Sequence, residues 1–273
     1  MNQTMHEPEL EIDLLTGLPI EPEPASQAYI PPMTLGFPEI IGGQTTDQFQ
    51  DCCAVGRRSS PDKPIRWSCS GTLIDQEWVL TAKHCYKATH VFVGGCDVND
   101  LEGGEVLTVK EYHLHQNLDV MLLRLTQRST IEPRKIAPET LVGQMNAQTR
   151  KPEFVGTVAG FGHVNPTGDK GYGIKRHADV PIRSFGCVTD DEVNQYGCKR
   201  GRELVAGHLG LMRDTCSGDS GGPLYIHHDN QYFLLGATSR GAQNAKAICG
   251  DGGVYIRVDL CREWIYEKIG IQL

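Results

Sequence analysis

Asp214-Thr215-Cys216-Ser217-Gly218-Asp219-Ser220-Gly221-Gly222-Pro223 is the most informative stretch of this 273-residue chain. A serine set among glycines on a tight turn can present its hydroxyl and leave nearby backbone N–H groups pointing outward. Upstream lies Leu80-Thr81-Ala82-Lys83-His84-Cys85. Between the two lies Asn117-Leu118-Asp119-Val120-Met121-Leu122-Leu123-Arg124-Leu125, an Asp entering an apolar strand. The chain order His, Asp, Ser is one of three in which a nucleophile, its base and an orienting carboxylate are found. His84, Asp119 and Ser220 are therefore the candidate catalytic residues. A lone serine in such a turn, or a lone Asp before Val, is ordinarily just a turn or a strand start. Their joint occurrence is what carries weight.

The surroundings predict an all-β body. Short runs rich in Val, Ile, Leu, Phe and Tyr, bounded by Gly, Pro, Asn and Asp, recur at 79–82, 90–94, 106–113, 119–125, 154–159, 223–227, 232–237 and 253–258. Glycine is abundant, at 31 residues, as many tight turns require. Helical periodicity is clear only over 260–269, with Leu260, Trp264, Ile265 and Ile269 on one face. A shorter helix is predicted over Asp190–Tyr196. No repeat of solenoid period is present. Strands throughout with one terminal helix predict one or two small barrels.

Composition narrows the class. At 39% hydrophobic and 22% charged residues the chain reads as globular, neither disordered throughout nor fibrous. No apolar run approaches the roughly 18 residues that cross a bilayer, so no membrane partner is expected. With a net charge of −8 it has no electrostatic footprint for nucleic acid. The charge is uneven. Residues 1–39 hold seven acids, no Lys or Arg, and seven of the 15 prolines, leaving 27 acids against 26 bases in 40–273. Such a segment cannot bury enough apolar surface to offset its ordering entropy. It is read as a flexible leader before a folded body. The leader is not a signal peptide, because it lacks a basic start and its most apolar stretch, 14–20, is broken by Thr, Gly and Pro. That points to the cytoplasm, whereas ten cysteines point to an oxidising compartment and a secreted protein. Ten cysteines allow 945 complete pairings, so counting leaves connectivity open.

Four blocks in order, Ile40-Ile41-Gly42-Gly43 and those around His84, Asp119 and Ser220, resemble the chymotrypsin-like (trypsin-type) serine proteases across 40–273. The resemblance implies two antiparallel six-stranded β-barrels with a C-terminal α-helix, the first over about 40–148 and the second over about 149–273. The site would lie in the cleft between them. It further implies a serine endopeptidase working through an acyl-enzyme on protein or peptide substrates. His84 would take the proton of Ser220 and return it to the leaving amine. Asp119 would hold the imidazole tautomer. The backbone N–H groups of Gly218 and Ser220 would bind the oxyanion. Asp214 would form the base of a specificity pocket for Arg or Lys, between walls at Ser239, Gly241 and Gly253. A non-catalytic binding module on the same fold is the alternative, although such relatives usually lose a triad member and none is lost here.

Several positions depart from the family. Arg240 stands where Trp is usual, and could press on the substrate backbone or favour acidic neighbours. The stretch from Gly241 to Cys249 is longer than is typical. In the family a freed N-terminus pairs with the Asp before the nucleophile, here Ile40 with Asp219. The residue before Ile40 is Glu39, which an Asp214 pocket would repel, so an acid-specific activating protease or trimming is expected. The family also implies Cys69–Cys85 and Cys216–Cys249. Cys187 matches a family position whose partner position holds Val205, so Cys198 is its expected substitute. Cys52, Cys53, Cys96 and Cys261 stay unassigned. No cofactor is expected, although Asp97-Val98-Asn99-Asp100-Leu101-Glu102-Gly103-Gly104-Glu105 partly resembles a calcium loop of some relatives, against the plainer reading of a solvated acidic turn. His227 and His228 alternate faces, and no ligand set surrounds His113 and His115.

Overall fold

The computed structural model describes residues 42–147, 154–165 and 167–270. The leader and Ile40 lie outside these residues. Two closed antiparallel barrels make up the body. The first is built from β2 (Cys52–Arg57), β3 (Arg66–Asp75), β4 (Trp78–Thr81), β5 (His90–Val93), β6 (Glu105–Leu114) and β7 (Met121–Leu125), in the order β2-β3-β4-β7-β6-β5. Its core is Cys53, Val55, Leu73, Val79, Val91, Leu107, Met121 and Leu123. The apolar run Met121-Leu122-Leu123 is buried throughout because one side faces this core and the other, with Leu122, faces a second cluster between the barrels. Asp119 precedes β7 rather than lying in it.

The second barrel comprises β8 (Val155–Gly160), β9 (Arg176–Phe185), β10 (Glu203–Ala206), β11 (Pro223–His228), β12 (Gln231–Gly241) and β13 (Gly253–Arg257). They run in the order β9-β10-β13-β12-β11-β8, closed by β8 on β9. Asp229 and Asn230, both at positive φ, make the two-residue turn between β11 and β12, the type of turn that matches strand twist. The two-residue strand β1 (Gln44–Thr45) pairs with β9, Gln44 opposite His177. Residues 44–45 thus add to the sheet of the second barrel, although they precede the first in the chain.

Three helices complete the body: α1 (Glu139–Ala147), α2 (Asp190–Tyr196) and α3 (Arg262–Ile269). α2 has the predicted bounds, fixed by a Thr189–Glu192 capping box and by Gly197 in the left-handed region. α1 was not predicted. It sets Leu141, Val142 and Met145 into the second core, a three-residue apolar face too short to show a period. α3 is shorter than predicted, since Val258–Cys261 form a 3-10 turn and Leu260 is exposed. Ile265 is buried, with Trp264 and Ile269 packed beside it. Among the described residues no helix is long and apolar enough to cross a membrane.

Candidate active site

His84 occupies a single 3-10 turn, Lys83–Cys85, just after β4. The Cys69–Cys85 disulfide, with Cα atoms 6.3 Å apart, ties that turn to β3. Lys83 Nζ donates to the His115 and Gln116 carbonyls at 2.8 and 3.2 Å, joining it to the loop that leads to Asp119. His84 Nδ1 lies 2.9 Å from Asp119 Oδ2, and the His84 backbone N–H donates to Oδ1 at 3.2 Å. Ser239 Oγ, from β12 of the other barrel, donates to Oδ2 at 2.7 Å. Burial works to raise the Asp119 carboxyl, but hydrogen bonds from His84 and Ser239 outweigh it and hold the group below its usual range. An ionised carboxylate only accepts, so Nδ1 carries the imidazole proton and the Nε2 lone pair is left free.

Ser220 sits on the loop before β11. Its carbonyl accepts from Ser70 N at 2.9 Å, and Gly221 N donates to Thr238 O at 2.8 Å. A Cβ at Gly221 would run into Thr81 and Ala82. Glycine there lets the serine loop lie against the strand end that leads to His84. Among the described residues the Ser220 hydroxyl makes no hydrogen bond to His84. Such contacts are often loose until substrate closes the site.

The same loop aims two amides. Ser217 O accepts from His163 N at 2.9 Å and from His163 Nδ1 at 2.8 Å. Asp219 O accepts from Gly222 N at 2.8 Å. A trans peptide points its C=O and N–H in opposite directions. Fixing these two carbonyls therefore turns the N–H groups of Gly218 and Ser220 the other way, and among the described residues neither meets an acceptor. Gly218, at φ +99°, packs against the Tyr172 ring where a Cβ would collide. Ser70 Oγ donates to Gly218 O at 3.0 Å and accepts from Phe161 N at 3.2 Å. Neither Ser70 nor His163 carried any signal in the sequence, because a serine in a strand and a histidine after a glycine are common.

Two buried carboxylates flank the serine. Asp219 is 0% exposed and accepts from Gly162 N and Cys216 N, both at 2.8 Å. Burial pushes it up to about 6 against these bonds and the nearby charges of Arg176 and His163. A Cβ at Gly160 or Gly162 would overlap its carboxylate. Asp214 is 2% exposed, and burial pushes it up to about 7. Its Oδ1 accepts from Tyr255 OH at 3.1 Å and Thr215 Oγ1 at 3.4 Å. A Cβ on Gly241 would enter open space, whereas one on Gly253 would touch the Tyr255 ring at 3.2 Å. The hydroxyl of Ser239, a residue expected in the pocket wall, points onto Asp119, at an irregularity where β12 slips against β13 between Thr238 and Arg240.

A family model, Trypsin, matches residues 40–265. The chain belongs to the trypsin family of serine proteases. Its departures from the family can now be placed. Arg240 is engaged by the buried Glu203, at 3.0 and 2.7 Å, and by Gly197 O at 2.9 Å. Its charge is matched within the protein, which removes the reason to expect it to favour acidic neighbours. The long rim after Gly241 is braced by Asp251, which accepts from Gly210 N, Lys246 N and Ala247 N at 2.8, 2.8 and 2.9 Å.

Cys69–Cys85, Cys187–Cys198 and Cys216–Cys249 are paired, the last two with Cα atoms 6.1 and 4.8 Å apart. Val205, at the position of the usual Cys187 partner, is buried in β10 beside this pair. Cys52, Cys53 and Cys261 are buried free thiols and Cys96 an exposed one. In the acidic loop Asp97 Oδ1 accepts from the Asn99 amide and side chain, and Asp100 Oδ1 from Glu102 N. Among the described residues no three His, Cys, Asp or Glu side chains are gathered as a ligand set. His113 lies near Glu111, His115 Nδ1 accepts from Asn117 and Leu118, and His228 lies near Asp229.

Proposed function

We propose that this protein is a serine endopeptidase that cuts after Arg or Lys through an acyl-enzyme. Ser220 Oγ attacks the scissile carbonyl while His84 Nε2 takes its proton and then returns it to the leaving amine. Asp119 holds the imidazole with Nδ1 protonated and stabilises the imidazolium. The N–H groups of Gly218 and Ser220 receive the oxyanion; losing one such donor typically costs about 3–4 kcal/mol of transition-state stabilisation. Preference for a basic residue rests on one observation, the buried Asp214 carboxylate held by two hydroxyls. A guanidinium or ammonium reaching it would supply the missing counter-charge.

The reading includes a zymogen. Cleavage before Ile40 frees an amine that would pair with Asp219 and order the loop above it. Glu39 does not suit an Asp214 pocket, so a different protease makes that cut. This same residue favours the second reading, a regulatory protein on the same fold that a partner activates.

A peptide library varied at the residue before the scissile bond tests the proposal, using the full chain and a form starting at Ile40. Cleavage after Arg or Lys by the Ile40 form alone is expected. Equal activity in both forms removes the zymogen step. If neither form cleaves and a serine-directed covalent inhibitor leaves Ser220 unlabelled, the endopeptidase reading falls. Replacing Glu39 with Arg should introduce self-processing.

A further inference from the structure

The Ser217–Gly218 peptide has two possible faces. With its carbonyl turned inward it offers the Gly218 N–H to the cleft. With the peptide flipped, it would offer a carbonyl to the place where negative charge develops. Glycine at 218, at φ +99°, opposes a flip less than any other residue would. Something must therefore hold the carbonyl down. In this structure both of its lone pairs are occupied from one residue, by the backbone N–H of His163 at 2.9 Å and by its Nδ1 at 2.8 Å. A carbonyl only accepts, so Nδ1 bears the proton in this contact.

The ring itself is held. The Tyr172 ring centroid lies 5.2 Å from that of His163, and a Cβ on Gly218 would collide with Tyr172. The Tyr172 hydroxyl is buried and has no hydrogen-bond partner among the described residues. Tyr172 is thus present for its ring, wedged between the imidazole and the peptide.

We infer that His163 is a positioning residue, whose Nδ1–H locks the Ser217–Gly218 peptide with its N–H toward the oxyanion. The backbone bond from residue 163 forms with any side chain. The imidazole bond is particular to histidine or to a side chain of similar reach. The inference rests on the proposed role of Ser220 and would deepen it. It concerns transition-state binding alone, since His163 is no part of the Asp214 pocket.

His163→Phe keeps a ring against Tyr172 and removes the donor, and His163→Asn restores a donor at a similar distance. The Ile40 form of each is assayed for kcat and KM on an arginyl peptide substrate. Inhibition is measured with a peptide boronate, which mimics the tetrahedral adduct, and with benzamidine, which fills only the basic pocket. For His163→Phe, kcat is expected to fall and boronate inhibition to weaken together by about tenfold, roughly what one hydrogen bond carries. KM and benzamidine inhibition should stay unchanged, and His163→Asn should recover most of the loss. A wild-type boronate affinity in His163→Phe, or parallel weakening of benzamidine, would overturn the inference. A failed fold of the Phe variant would leave the Asn variant and a His163→Gln variant to decide it by the same boronate-to-benzamidine ratio. A wild-type enzyme that neither cleaves nor takes a serine-directed label would instead sink the function on which the inference rests.

Discussion

Asp214 and Asp219 stand five positions apart in one loop, and both are taken almost wholly out of water. Burial drives both carboxyls upward, to about 7 and about 6. The difference lies in who answers them. Each oxygen of Asp219 accepts a backbone N–H at 2.8 Å, from Gly162 and from Cys216, which are distant in the chain. Asp214 is met at Oδ1 by two hydroxyls, at longer range, and otherwise only by the amide of its own neighbour, Thr215. Rigid amides fix a carboxylate as a part of the fold. Hydroxyls can rotate, and leave room for a cation from outside. On the proposed reading, the same residue type in one loop is a strut in one place, braced further by the freed Ile40 amine, and a receptor for the substrate's cation in the other.

Replacing Asp219 with Asn should have the largest effect. One amide oxygen can serve one of the two N–H donors, and the NH2 must then face the other. Leaving a buried donor unmet costs about 1–3 kcal/mol. Urea unfolding should show that loss, and turnover of every substrate should fall together, by about 1,000-fold or more, as the loop loses the aim of both amides. If only basic substrates suffered, the contrast would collapse.

Asp214→Asn should separate the two roles cleanly. Loss of a desolvated charge partner predicts a fall in kcat/KM for arginyl and lysyl substrates of about 100- to 1,000-fold. The unfolding midpoint should hold, because no rigid amide pair is broken. A comparable loss of stability would make Asp214 a second strut.

pH sharpens the contrast further. Both carboxyls sit above their ordinary 3.8, so the folded state retains protons that the unfolded chain has released. Their stabilising contribution is complete below about pH 4 and is lost as pH climbs through about 6 to 7. A bound amidinium reverses this for Asp214 alone, because it prefers the ionised carboxylate. The rise in melting temperature caused by benzamidine should therefore grow from about pH 5 to pH 8. Asp214→Asn should flatten that dependence, whereas a slope that persists would place the titration elsewhere. The smallest expected change is Tyr172→Phe. Removing a buried hydroxyl with no partner should leave stability within about 0.5 kcal/mol and turnover unchanged. A measurable loss of turnover would tie that hydroxyl to Asp219, whose charge bears on it.

Local chemistry was the legible part. The glycines around Ser220, the block at His84 and the capping box at Thr189 act over a few residues, so their meaning survives in one dimension. The family match follows from those blocks. Elements defined by distant partners were hidden. β3, with Arg66 and Ser68 among its residues, reads as polar until β2 and β4 flank it. β9 alternates buried and half-exposed residues, but its inward positions include Arg176 and Ser184, so the period is masked. The Arg240–Glu203 pair joins residues 37 apart, and nothing in either neighbourhood names the other. Ser239 was read as pocket wall from the resemblance of Ser239-Arg240-Gly241 to the family's wall. Only the slip in strand register turns its hydroxyl toward Asp119.

The two ends of the described body cross over. β1 precedes the first barrel in the chain yet adds to the sheet of the second. α3 follows the second barrel, and its Ile265 shares a cluster with Trp78, Leu80 and Leu122 of the first. Trp264 also meets the His115 ring, 5.0 Å away, under the loop that ends at Asp119. Translation delivers these parts in order, and α3 emerges after every other described element. A growing chain can hold His84 and Ser220 while the Asp119 loop still lacks its support. The support beneath the Asp119 loop is thus the last described part of the site to be made.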